Sequence, residues 1–167
     1  MRTALRFVAV LAGIVALPSA ITPQQQFPQR DYGKDPRLWQ LRAFFKELDS
    51  PAYSLAEEFL VAADLHGLDW RLLPSISIVE SGGGKAFMNN NILGWDSCRV
   101  RFPTLATGIH TVARRLSISN LYKNKSLSEK LEVYNPHPAY PARVTSLMER
   151  LESPSPPGPL PSDYFCR

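Results

Sequence analysis

The stretch SISIVESGGGK (residues 75–85) ends an apolar run with a carboxylate and follows it with three glycines. With the preceding WRLLP it decides the reading of the chain's middle. Asp69 stands where it can cap a helix that follows. Pro74 is awkward in a helix interior but fits an opening turn. A first turn at residues 70–73 and a helix through Ser81 are therefore expected. Gly82, Gly83 and Gly84 favour coil and stop it. At about 3.6 residues per turn, Leu72, Leu73, Ile76 and Val79 share a face with Glu80, and Ser75 lies off it. Glu80 thus continues an apolar stripe, at the end where the helix dipole disfavours negative charge.

Helical spacing recurs on both sides. RLWQLRAFFKEL (residues 37–48) has an apolar stripe at Leu38, Leu41, Phe44, Phe45 and Leu48, broken by DSPAY. Ser54 with Glu57 has the layout of a capping box ahead of LAEEFLVAADLHG, which Gly67 ends as a left-handed cap. Leu55, Phe59, Ala62, Ala63 and His66 share a side there, so His66 reads as a packed or rim residue. LATGIHTVARRLSI (residues 105–118) keeps the period through Ile109, Val112, Ala113 and Leu116. SLSEKLEVY (residues 126–134) opens with a second capping box, Ser126 with Glu129. ARVTSLMERLE (residues 142–152) is amphipathic through Val144, Leu147, Met148 and Leu151. Residues 86–104 have no helical period and read as a long loop or short hairpin, and such loops tend to carry function. About six helices with little sheet make the class mainly α, without internal repeats.

The chain has 167 residues, enough for one domain and few for two. MRTALRFVAVLAGIVALPSA (residues 1–20) has the layout of a secretory signal: two arginines, an apolar run, then small residues. It is short for a membrane span, although a retained anchor is the alternative. Residues 21–36 read as a flexible leader and the proline-rich residues 153–167 as a tail, leaving residues 37–152 as the domain. Removing residues 1–20 takes away two arginines and no acid, so the formal charge falls from +4 to +2. That balance tolerates an anionic polymer but is no nucleic-acid footprint. Two cysteines, Cys98 and Cys166, suggest one disulfide in an exported chain, with two free thiols as the alternative. Closing so long a loop stabilises by roughly 4 kcal/mol on the chain-entropy model. His66, His110 and His137 are scattered, and no spacing resembles a metal site.

The apolar stripe and the helix end both push the pKa of Glu80 up. A carboxylic acid that keeps its proton near neutral pH suits general-acid chemistry, including protonation of a glycosidic oxygen. The alternative is a solvated Glu80 on a frayed last turn. The glycines would let a bulky polymer approach. Asn89, Asn90 and Asn91 offer amides suited to hydroxyl and N-acetyl groups, or are turn formers. Trp95 offers a flat face for a sugar, or packs in the core.

The pattern AADLHGLDWRLLPSISIVESGGGK…NNNILGWDS…FPTLATGIHTVARRL…YNPHPAYPARV resembles the lysozyme-like superfamily of cell-wall glycosidases. It is similar both to soluble lytic transglycosylases and to the endo-β-N-acetylglucosaminidase branch, over residues 55–150. The resemblance implies a lysozyme-like helical domain with a long active-site loop. It implies Glu80 of the ES pair with Ser81 as catalytic acid, and places Asn91, Gly94 and Trp95 of NNNILGW beside it. VYNP resembles the late YN element, which puts Tyr134 and Asn135 in the cleft. The glycine-rich GLMQ element of the transglycosylase branch is absent, and no second carboxylate is obviously paired with Glu80, Asp96 being the nearest candidate.

These readings lead to an exported enzyme, periplasmic or extracellular, cleaving β-1,4 linkages of peptidoglycan glycan strands. It would act as a monomer with no cofactor, no metal, no nucleic-acid partner and no stable membrane span after processing. Two other readings stand beside it: a lysozyme-like module that grips glycan or scaffolds an envelope assembly without cutting, and an exported helical protein with no glycan role.

Overall fold

The computed structural model describes residues 30–152. The expected signal segment, most of the leader, the proline-rich tail and Cys166 lie outside the described residues. Residues 31–152 belong to one compact unit. It is mainly α, with six α-helices and no strand among the described residues: α1 (Pro36–Glu47), α2 (Ala56–His66), α3 (Leu72–Ser81), α4 (Leu105–Ile118), α5 (Leu127–Tyr134) and α6 (Tyr140–Glu152). The short hairpin allowed for residues 86–104 does not form; this stretch is a chain of turns. Among the described residues no helix is long and apolar enough to cross a membrane.

Local chemistry accounts for most boundaries. Pro36 opens α1 behind Asp35, whose carboxylate accepts from Arg37 N–H at 3.0 Å. The leader was expected to run to residue 36, but Tyr32–Lys34 already form a 3-10 turn. It is held because the Tyr32 hydroxyl donates to Asp64 at 3.2 Å and Arg37 bridges Asp35 and Asp64. The box expected at Ser54 and Glu57 is absent. A 3-10 turn, Pro51–Leu55, runs straight into α2, so Ser54 already has a helical neighbour on each side and donates to the Pro51 carbonyl at 3.1 Å. Ser50 caps that turn instead. Gly67 ends α2 at φ +61, and Ser126 with Glu129 forms the full reciprocal box on α5.

α3 is the centre of the bundle. It packs against α2 and α6, while α2 packs against α1 and α4, and α5 against α6. Every α3 residue except Glu80 is buried, so burial surrounds the helix rather than following the single stripe that its leucines and isoleucines suggested. Ser75 is fully buried too. Small side chains permit this close packing: Ser77 donates to the Pro74 carbonyl at 2.7 Å, which spares its hydroxyl a partner on a neighbouring helix. Leu73 and Ile76 have no exposed surface, and cutting either back to alanine costs about 2–5 kcal/mol.

Candidate active site

Glu80 is the one α3 side chain that is not fully buried. What surrounds it comes from three elements. The first is the turn that leaves α3. The Gly82 N–H bonds the Ile78 carbonyl at 3.0 Å with Gly82 at φ +61, which stops the helix two residues past the acid. Gly83 then lies against Ser50, so that a Cβ there would stand 2.1 Å from Ser50 Oγ. Ser50 Oγ and Ala52 N both donate to the Gly83 carbonyl, at 2.8 and 2.9 Å. The middle glycine is therefore filled by the protein itself. It lets the turn seat on residues 50–52 rather than opening a path for a polymer.

The second element is the loop after it. Asn91 is its hub: Nδ2 donates to the carbonyls of Trp95 (2.8 Å) and Val100 (3.2 Å), and Oδ1 accepts from Trp95 N–H at 2.8 Å. Asn91 is 1% exposed. Its amide is spent inside the loop, so the expectation that it contacts substrate is corrected to a positioning role. Ser81 is corrected in the same way. Its buried hydroxyl sits 2.9 Å from the Ser77 carbonyl and 2.8 Å from the Ile92 carbonyl, and accepts from Gly84 N–H, tying α3 to the loop. Asn89 and Asn90 are left-handed turn residues whose amides donate to Cys98 O and Phe102 O. This pinned loop carries Gly94, at φ +68, onto the acid. A Cβ on Gly94 would stand 2.2 Å from Glu80 Oε2 and 2.7 Å from Cδ, so any larger residue there must push the carboxyl aside and strain a left-handed backbone.

The third element is the α5–α6 return. The Tyr134 hydroxyl donates to the Leu93 carbonyl at 2.6 Å, clamping the loop from the far side. Its ring stacks on Tyr140 (6.0 Å, 8° between planes) and meets Trp95 edge-on at 5.6 Å. Trp95 is part-buried against this aromatic group and Tyr122. Asn135 caps α5 and accepts from His137 N–H through Oδ1 at 3.0 Å, which leaves its NH2 to face Glu80.

Burial raises the Glu80 pKa above the ordinary 4.5, against donors from Tyr140 and Asn135 that favour the charged form. The carbonyl end of α3 acts in the same direction as burial. Tyr140 is 2% exposed, and its hydroxyl makes no hydrogen bond of ordinary geometry. It stands beside the acid as a donor that favours the charged carboxylate. Burial, and then the neighbouring Glu80 charge, push both Tyr134 and Tyr140 well above the usual phenol value, so each keeps its proton. Tyr140 is the site residue that sequence reasoning missed. Its only trace was the YP pair at the start of a helix.

Asp96 does not pair with Glu80. It is exposed on the loop at φ +51 and holds Arg99 at 2.5 Å. Cys98 is buried, and its expected bridge to Cys166 falls outside the described residues. Among the described residues no three His, Cys, Asp or Glu side chains gather as a metal centre would. His110 meets Glu58 at 2.7 Å, the His66 ring lies edge-on to it at 6.3 Å, and His137 Nδ1 accepts from Ala139 N–H. Compared with known proteins, the chain matches no family model, no curated protein and no solved structure, so the reading of the site rests on its own geometry.

Proposed function

We propose that the protein is an exported, lysozyme-like glycosidase that cleaves β-1,4 linkages between the amino sugars of peptidoglycan, with Glu80 as general acid. One observation carries the reading: a carboxyl at the end of a buried helix, with its pKa raised by burial and a glycine at positive φ packed directly against it. Glu80 gives its proton to the glycosidic oxygen. The C1–O bond breaks, and the leaving sugar departs with a free hydroxyl. Positive charge spreads over C1 and the ring oxygen, and the N-acetyl oxygen of the same sugar can meet it. Water or an internal hydroxyl then adds at C1, and its proton returns to the Glu80 carboxylate. Water yields a reducing end and the internal hydroxyl an anhydro end. A single acid that serves first as acid and then as base suits a site where Asp96 is engaged by Arg99. Gly94, Trp95, Tyr134 and Asn135 shape the wall around the bond, and Asn91 and Ser81 hold that wall in place.

Mass spectrometry of digested cell-wall sacculi tests this. The wild type is expected to release soluble fragments and Glu80→Gln to release none above background; equal release by both would remove Glu80 from the mechanism. The same unpaired carboxylate also fits a module that grips glycan without cutting. That reading predicts co-sedimentation of the wild type with sacculi and no soluble product.

A further inference from the structure

The glycine turn also borders a groove of about 790 Å³, lined in part by Lys46, Asp49, Ser50, Tyr53, Gly84 and Lys85. This volume falls in the range of ligand sites. The turn that leaves Glu80 forms one wall of it, because Gly84 is only four residues beyond the acid and Gly83 is locked onto Ser50. Its rim is cationic. Lys85 is held in place by donating to the Leu48 carbonyl at 2.8 Å. Lys46, in the last turn of α1, is exposed and makes no ion pair among the described residues. Asp49 is the single acid in the lining among the described residues, so there the two lysines leave a surplus of positive charge. Arg42 adds to it, with its guanidinium 6.0 Å from the Tyr53 ring and 5.9 Å from the Trp39 ring. Trp39 and Tyr53 are 62% and 46% exposed. Two solvent-facing rings that hold a cation with no ion pair among the described residues suit an anion with some apolar body.

We propose that this groove is a second ligand site that takes the carboxylates of acidic peptides attached to the glycan. The inference rests on the reading of the substrate as a peptide-bearing amino-sugar polymer. The turn that walls the groove begins two residues past Glu80, so a peptide branching from a strand held at the acid has a cationic, aromatic-rimmed pocket to enter. Lys46 and Lys85 meet the carboxylates, and the Tyr53 ring covers the aliphatic part of the peptide. Specificity then arises beside the acid rather than on it: peptide-bearing strands are retained and bare ones are not.

The test uses the full chain carrying Glu80→Gln, so that binding is read without cutting. Its affinity is measured for short glycan strands with their acidic peptides, for the same strands stripped of peptide, and for sugar-free polyglutamate. Peptide-bearing strands are expected to bind roughly fivefold tighter than stripped ones, a preference that salt weakens. Lys46→Glu, an exposed change that leaves the core intact, is expected to abolish it. Equal affinity for both strands, a preference that survives Lys46→Glu, or polyglutamate binding as tightly as the strands would each overturn the groove. The glycosidase reading is judged separately by fragment release from the Glu80-intact chain, so cutting without preference sinks the groove alone.

Discussion

Replacing Gly94 with alanine puts one methyl where the structure has no room. The added carbon would stand 2.2 Å from Glu80 Oε2, 2.7 Å from Cδ and 2.9 Å from Cγ, and ordinary contact begins at 3.4 Å. Going from 2.2 to 3.4 Å needs a displacement of about 1.2 Å, shared between carboxyl and loop. The loop can give little, because Asn91 and Tyr134 clamp it from both sides. The left-handed backbone adds about 1–2 kcal/mol of strain for any residue with a Cβ, and overpacking adds roughly 1–3 kcal/mol. A misplacement near 1 Å is enough to lower a rate about a hundredfold. Gly94→Ala is therefore expected to lose some 2–5 kcal/mol of stability in urea titration and about two orders of magnitude in fragment release from sacculi. A double-mutant cycle isolates the contact. In a Glu80→Ala background the atoms that the methyl meets are gone, so the cost of Gly94→Ala should shrink to the backbone strain alone. An equal cost in both backgrounds, or a variant that cuts at the wild-type rate, would refute the claim that this loop is pressed against a working acid.

The pH dependence follows from the direction of the Glu80 shift. Its folded pKa lies above 4.5, so between pH 4.5 and that raised value the folded chain holds a proton the unfolded chain has released. Stability therefore falls as pH rises through this window and levels off above it. Chemical denaturation of wild type and Glu80→Gln across that range should show the slope in the first and its loss in the second. Fragment release should persist through the ordinary carboxylate range and decline only above the raised value. Tyr140→Phe removes a donor that favours the charged carboxylate, so the descending limb of the pH–rate profile should move to higher pH. Because that hydroxyl is buried without a hydrogen bond of ordinary geometry, its removal should leave stability unchanged or raise it by up to about 1 kcal/mol. A limb that moves to lower pH would show that Tyr140 acts on some other group.

What the sequence disclosed were features decided within a turn or two of chain. Pro74 in an opening turn, Gly67 as a left-handed cap, the end of α3 at Ser81 before the glycines, the Ser126–Glu129 box and the bounds of α4 all rest on contacts between near neighbours, and all are found where the pattern put them. Ser54 misled because the same serine-to-glutamate spacing also occurs inside a segment that is already helical, where the hydroxyl turns back to the Pro51 carbonyl. Asn91 and Ser81 looked like groups free to meet a sugar. Composition does not reveal that a polar side chain will be buried and spent on loop carbonyls. Tyr140 was invisible for a different reason. Sixty positions separate it from Glu80, and they meet only because α5 and α6 return across the end of α3.

Several features of the site weaken the fold that carries them. Glu80 loses solvation at a position where an apolar residue would continue the core. The Tyr140 hydroxyl is buried without a bond of ordinary geometry. Of the seven non-glycine residues at positive φ among the described residues, five (Asn89, Asn90, Asp96, Ser97 and Cys98) fall in the one loop that delivers Gly94 to the acid. Each such departure costs of order 1 kcal/mol or more, and a helix–loop–helix connection needs none of them merely to close. Packing alone would favour a leucine at 80, a phenylalanine at 140 and a relaxed turn between α3 and α4. The unfavourable choices instead meet around one carboxyl, on three separate elements, in an arrangement that makes the carboxyl hard to ionise and hard to displace. That convergence suits the proposed proton donor better than it suits a structural helix end. It is the physical ground for reading this end of α3 as a place where a bond is broken.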